Sequence, residues 1–225
     1  MKGILLQADS LANNAQQVTN KLSLLDLSMK GGIMMIPIAI LFVIAVYIFI
    51  ERYMVIRRSA EIDDNFMNKI RDLVINGNIE GARSLCLSKD SPIARMLEKG
   101  ISRIGNPLKD ITTSIENVAN LEVFKMEKKL ATLATIAGAA PMLGFLGTVT
   151  GMIKAFWQLS QAGSNIVPEQ LAGGIYEAMI TTAAGLIVGI PAYFGYNILA
   201  TMIKKVVFKM EATSVEFIDV LHEPV

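Results

Sequence analysis

The sequence predicts an all-α membrane protein with three transmembrane helices, the second and third extended into a cytoplasmic helical bundle. Three observations predict it. The 225-residue chain holds uncharged runs at 33–50, 130–153 and 178–203, and about 20 apolar residues cross roughly 30 Å of hydrocarbon. Hydrophobic residues make up 52% of the chain and charged residues 18%, with a mean hydropathy of +0.47, whereas soluble domains carry about 25% charged residues. Apolar residues also keep a helical step beyond the ends of the last two runs. A buried core helix is the alternative for each run, and three such runs in so short a chain argue against it.

In chain order, the expected parts begin with an interfacial segment at 1–30. Leu5, Leu11, Val18, Leu22 and Leu25 recur there at near-helical spacing, the pattern of an amphipathic helix on a membrane surface; a mobile tail fits it as well. Residues 1–8 are too short a stub for the apolar core of a signal peptide, so this segment is expected on the mature protein. Transmembrane helix 1 follows at 31–55, a helical domain at 56–129, transmembrane helix 2 at 130–157, a loop at 158–173, transmembrane helix 3 at 174–203 and a final helix at 204–225.

Charge sets the orientation. Residues 51–129 hold 14 of the 21 Lys and Arg residues, and 158–173 hold none. Positive segments stay inside. The N-terminus and the 158–173 loop are therefore expected in the periplasm, and the middle domain and C-terminus in the cytoplasm. The basic residues are interleaved with acids such as Asp63, Asp64, Glu98 and Glu127, which argues against nucleic-acid binding. Cys86, the single cysteine, cannot form an internal disulfide and reads as a structural thiol.

Within 56–129, Asp63 or Asp64 is placed to cap a helix through Met67, Ile70, Leu73 and Val74 that ends at Asn76-Gly77. A second helical turn pattern covers 79–87. Ser91-Pro92 opens a third helix, with Pro at the first helical position, and Gly105-Asn106-Pro107 stops it. From Lys109, Ile111, Ile115, Val118, Leu121 and Met126 or Leu130 keep a 3.6 period without a breaker before Gly138. This predicts one unbroken helix from Lys109 to Trp157, about 75 Å long at 1.5 Å per residue. Beyond the third span, Ile203, Val206, Val207, Met210, Val215 and Ile218 continue an apolar stripe. Such extensions need partner helices, so an interaction bundle is expected rather than a catalytic domain. His222 is the only histidine and reads as a solvated tail residue. No Cys/His metal spacing, phosphate-binding loop or nucleophile elbow occurs, and no enzyme, metal or cofactor is expected.

The spans are unusually polar and small. In the second, Pro141, Gly144, Thr148, Gly151 and Ala155 share a helix face; in the third, Ala178, Thr182, Gly185 and Gly189 do, with Glu177 and Thr181 on the neighbouring face. The pairs Gly147 with Gly151 and Gly185 with Gly189 stand four apart, a spacing that lets helix backbones approach in lipid. Packing alone explains most of these glycines, and a threonine can satisfy its own i−4 carbonyl. Depth adds a second reading for Thr148 and Thr182. Each lies nine residues, about 13 Å, inside the outer end of its span, so two hydroxyls sit at one level near mid-bilayer. They make a narrow polar ring able to hydrogen-bond a proton or ion carrier. Lys154 and Glu177 stand nearer the outer end; they can pair, or Lys154 can snorkel outward. No carboxylate lies at the threonine level, so a titrating proton path needs an acid from another polypeptide.

The stretches APMLGFLGTVTGMIKAF (140–156) and IYEAMITTAAGLIVGIPAYFGYN (175–197) strongly resemble the ExbB/TolQ/MotA proton-channel family, and its ExbB branch most closely. The resemblance runs from about residue 33 to the C-terminus, specific in the second and third spans and loose in the domain between the first two. It implies an inner-membrane motor in which five copies surround a dimer of an ExbD-like single-span partner. That partner carries the protonatable Asp, and a TonB-like protein passes the work to outer-membrane transporters. The family's pore threonines map by motif onto Thr148 in LGTVTG and Thr182 in EAMITTAAGL, and its glutamate onto Glu177. Either Thr181 or Thr182 can present the hydroxyl, and the face shared with Gly185 and Gly189 favours Thr182. Lys154 departs from the family's pattern, a neutral residue there; with Glu177 and Thr181 it is expected along the proton path, where a fixed positive charge near the mouth would tune proton entry or merely pin the helix end. A TolQ-like subunit serving envelope constriction is an alternative, as is a passive membrane scaffold. A MotA-like stator would carry a fourth span and a larger cytoplasmic domain.

Overall fold

The computed structural model describes residues 31–60, 65–161 and 168–222. The interfacial reading of 1–30 and the capping role of Asp63 or Asp64 lie outside the described residues. Among the described residues, seven helices follow in order: α1 Met35–Ala60, α2 Phe66–Ile75, α3 Ile79–Leu87, α4 Pro92–Ile101, α5 Leu108–Glu127, α6 Leu130–Gln161 and α7 Pro168–His222. No strand occurs among the described residues. Three helical stretches, ending at Ser59 in α1, Gln161 in α6 and His222 in α7, are long and apolar enough to cross a membrane, by length and composition. The chain divides into two compact units, one built from the chain up to Ile44 with Ile136–Pro191, the other from Ala45–Thr135 with the chain from Ala192.

The second unit holds the short helices, and local chemistry bounds each one. Asn65 occupies the N-cap position of α2, which ends as Asn76 and then Gly77 (φ +71°) turn the chain. Asn78 Oδ1 accepts from Gly81 N at 2.9 Å to start α3. Ser91 Oγ accepts from Ala94 N at 3.2 Å to start α4, with Pro92 in the first turn, where a missing N–H costs nothing. Helix α4 buries Ile93, Ala94, Met96, Leu97 and Ile101. At Gly100 an added Cβ would meet Ile115 Cδ1 at 2.7 Å and Phe217 Cε1 at 2.9 Å, so α4, α5 and the end of α7 close on one another there. Burial pushes the Cys86 thiol up to about 12, which suits an inert structural residue.

The structure departs from the sequence expectation in three places. The long helix from Lys109 is not continuous: α5 ends at Glu127, Lys128 leaves helical geometry (φ −51°, ψ 134°) and Lys129 is left-handed (φ 69°). Polar contacts hold the break. Lys129 Nζ lies 2.5 Å from Glu51 Oε2 and 5.3 Å from the Tyr47 ring centroid, and Arg52 Nη1 donates to the Lys125 carbonyl at 3.1 Å. In α5 the expected stripe holds at Ile111, Ile115 and Met126, but Leu121 is exposed and Glu122 is buried in its stead. Glu122 is only 3% exposed because Arg95 Nη2 at 2.6 Å and Lys125 Nζ at 2.7 Å compensate its charge. At the end of α7 the stripe holds through Ile203, Val206 and Met210, after which Phe217 and Val220 are buried and Val215 is exposed. The buried positions step by three, four and seven residues, so the stripe follows a heptad-like seam that the 3.6 period left behind.

Candidate proton-path seam

The first unit brings α6 and α7 together, antiparallel, along a seam of small residues. Its register holds to within one residue from end to end: Gly174 meets Ala155, Ala178 meets Gly151, Thr182 meets Thr148, Gly185 meets Gly144 and Gly189 meets Pro141. The approach is close because hydrogen atoms replace side chains. A Cβ on Gly144 would lie 2.8 Å from the Thr181 carbonyl oxygen and 3.1 Å from Thr182 Cα. A Cβ on Gly151 would lie 3.0 Å from Ala178 Cβ, and one on Gly189 2.5 Å from Pro141 Cγ. At Gly144 and Gly185 the contact under 3 Å is to backbone, which leaves no room for a larger residue. Pro141, Gly144, Gly147, Gly151, Gly185 and Gly189, expected to pack the helices around a central partner, lie on the seam between the chain's own helices. The same three- and four-residue step also reaches Gly174, which the sequence reading missed.

The seam is polar at one level. Thr148 Oγ1 and Thr182 Oγ1 hydrogen-bond each other, and either oxygen can donate. Both also address the carbonyl of Gly144, each at 3.2 Å, and Thr148 Oγ1 lies 3.4 Å from the Ala178 carbonyl. Both side chains are half-buried. Two hydroxyl protons among four oxygens, two hydroxyl and two carbonyl, allow the donor direction to reverse, and an incoming donor or acceptor can join without uncovering a buried orphan. Thr148 also borders an open apolar hollow along α6 formed by Val149, Met152, Ile153, Phe156 and Trp157.

Thr181 behaves differently. It is 1% exposed, donates to its own helix at the Ala178 carbonyl (2.8 Å), and fits into the space left by Gly147. Between the two candidate hydroxyls, the structure brings Thr182 to Thr148 and turns Thr181 into packing. At one end of the seam, Lys154 Nζ lies 3.0 Å from Glu177 Oε2, so the two charges pair. Among the described residues no group of three or more His, Cys, Asp or Glu side chains is arranged to hold a metal ion.

A model of the "MotA/TolQ/ExbB proton channel family" matches residues 88–212. The chain is 30% identical to biopolymer transport protein ExbB-like 1 of Synechocystis over 195 residues, covering 86% of this chain and 77% of that one. It is 28% identical to the Tol-Pal system protein TolQ of Haemophilus influenzae over 220 residues, 91% of this chain and 96% of that one. A 101-residue match at 33% identity to the biopolymer transport protein ExbB of Xanthomonas campestris covers 45% and 40%. The chain belongs to the MotA/TolQ/ExbB proton channel family, as the sequence resemblance implied.

Proposed function

From membership of a proton-channel family, we propose that this chain is the wall subunit of a proton-driven motor of the ExbB type in the bacterial inner membrane. Five copies would surround a dimer of an ExbD-like single-span partner carrying the protonatable Asp, and a TonB-like protein would pass the work to outer-membrane active transport. In this reading the N-terminus is periplasmic and the C-terminus cytoplasmic, following the bias of Lys and Arg toward 51–129.

The observation that carries the reading is the hydroxyl pair of Thr148 and Thr182, set in spans whose only carboxylate or ammonium groups are Glu177 and Lys154. Such a wall has hydrogen-bonding capacity at mid-depth and no acid there, so it complements a partner that brings one. The energies suit stepwise motion. A proton crossing 100 mV releases about 2.3 kcal/mol, and one neutral hydrogen bond is worth about 0.5–1.5 kcal/mol. A hydroxyl contact therefore biases each step without trapping the carrier. The full-length likeness to a TolQ protein supports the second reading, in which the same wall serves envelope constriction.

Reconstitution tests the proposal. Proton uptake is measured in liposomes bearing the chain alone and the chain with its single-span partner. Uptake that requires both supports a shared path. Strong uptake by the chain alone overturns the assignment of the acid to a partner.

A further inference from the structure

The contacts of Glu177 separate its part from that of the threonines. Glu177 is one of two charged residues in the second and third spans, and its carboxylate meets two other segments of its unit. From α6, Lys154 Nζ donates to Oε2 at 3.0 Å. From the turn that precedes α1, Gly32 lies against the other oxygen: a Cβ there would collide with Oε1 and stand 2.9 Å from Cδ. Gly32 has a φ of +65°, a conformation glycine adopts without cost. Backbone geometry and side-chain clearance thus both specify glycine beneath this carboxylate. The ammonium is 59% exposed and the carboxylate 25%.

The pair is offset from the hydroxyls. Lys154 is six residues from Thr148 and Glu177 five from Thr182, about 8 Å along either helix. It continues the same antiparallel seam, within one or two residues of the register of the other facing pairs, so it sits where it can fix that register. A small-residue seam alone is permissive, because one Ala or Gly step resembles the next; a single ion pair at its end removes the ambiguity.

We propose that Lys154 is a positioning residue that binds Glu177 over Gly32 and so sets the α6–α7 register, leaving Glu177 as a fixed counter-charge and Thr148 with Thr182 as the chain's contact for the migrating proton. This rests on the proton-wall reading above, but its test does not depend on that reading alone. In membranes carrying the full chain, dicyclohexylcarbodiimide adds to carboxyl groups it can reach, and peptide mass spectrometry reads its addition at Glu177. A carboxylate covered by Lys154 on one oxygen and by Gly32 on the other is a poor target. The parent and Lys154→Arg should resist, and Lys154→Met should label about fivefold faster, the upper range for one part-exposed ion pair. Equal labelling of parent and Lys154→Met overturns the proposal. In the partner-containing liposomes, Lys154→Met should lose proton uptake, Lys154→Arg should keep it, and the charge exchange Lys154→Glu with Glu177→Lys should restore it. Failure of the exchange while Lys154→Arg is active would make Glu177 a carrier and overturn the proposal. A parent complex without uptake would sink the proton-wall reading, and the labelling would still decide what Lys154 does.

Discussion

Gly144 and Gly185 face each other across the α6–α7 seam so closely that a Cβ on Gly185 would lie 3.0 Å from Gly144 Cα and 2.5 Å from the Ala140 carbonyl oxygen. The obstructing atoms are backbone, which a rotamer change cannot move. Gly185→Val is expected to push the helices apart at a cost of about 1–3 kcal/mol, seen as a lower melting temperature of the detergent-solubilised protein. Gly138, in the same α6, is the control, since an added Cβ there meets nothing within 4 Å. Gly138→Ala is expected to be neutral or to stabilise by up to about 1 kcal/mol. Equal loss in both variants would mean that glycine flexibility, and not close approach, is what the seam requires.

The α5 network gives a pH prediction. Burial works against the charge of Glu122, yet the hydrogen bonds from Arg95 and Lys125 more than offset it and hold the carboxyl below its usual range. A lowered folded value contributes stability that is present above the unfolded pKa, about 4.3, and is lost as pH falls through the folded value. Glu122→Gln is therefore expected to destabilise at pH 7 by about 1–2 kcal/mol, less than for a fully buried pair because both cations are partly exposed. Melting temperatures followed downward from pH 7 should fall less steeply for the variant than for the parent below about pH 5. Parallel curves would mean that Glu122 does not carry the acid sensitivity.

Lys129 permits a test in which glycine outperforms alanine. Its left-handed backbone costs a residue with a Cβ about 1–2 kcal/mol, and its ammonium recovers stability through Glu51 and the Tyr47 ring. Lys129→Ala loses the contacts and keeps the strain; Lys129→Gly loses the contacts and relieves it. The glycine variant is expected to be about 1 kcal/mol more stable than the alanine variant, the reverse of helix propensity. Equal stabilities would indicate that the chain becomes continuous helix once the lysine is gone.

These sites also mark how far the sequence could be read. The three spans are legible because hydropathy acts over twenty residues at a time, and the α6–α7 face is legible because Gly144, Gly151, Gly185 and Gly189 repeat at helical intervals. The break at Lys128–Lys129 is not, because lysine carries no turn signal and the cause is tertiary: Glu51 lies 78 positions away in sequence. Glu122 was displaced in the reading by Leu121, since a periodic count has no means of knowing that Arg95 waits opposite. Thr181 and Thr182 are adjacent on the helix surface, and only the space left by Gly147 distinguishes the packed one from the paired one. Gly32 gave no signal at all, as its significance comes from the Glu177 carboxylate above it.

The Thr148–Thr182 hydroxyl pair is expected to serve proton movement and not helix packing alone. The measurement that tests it most directly compares partner-dependent proton uptake for the parent, Thr182→Ser and Thr182→Val, with complex assembly checked by co-purification. Thr182→Ser is expected to keep uptake, and Thr182→Val to assemble but slow it about tenfold, the kinetic equivalent of one lost hydrogen bond. An assembled Thr182→Val complex with parental uptake would contradict this role and make this chain a scaffold.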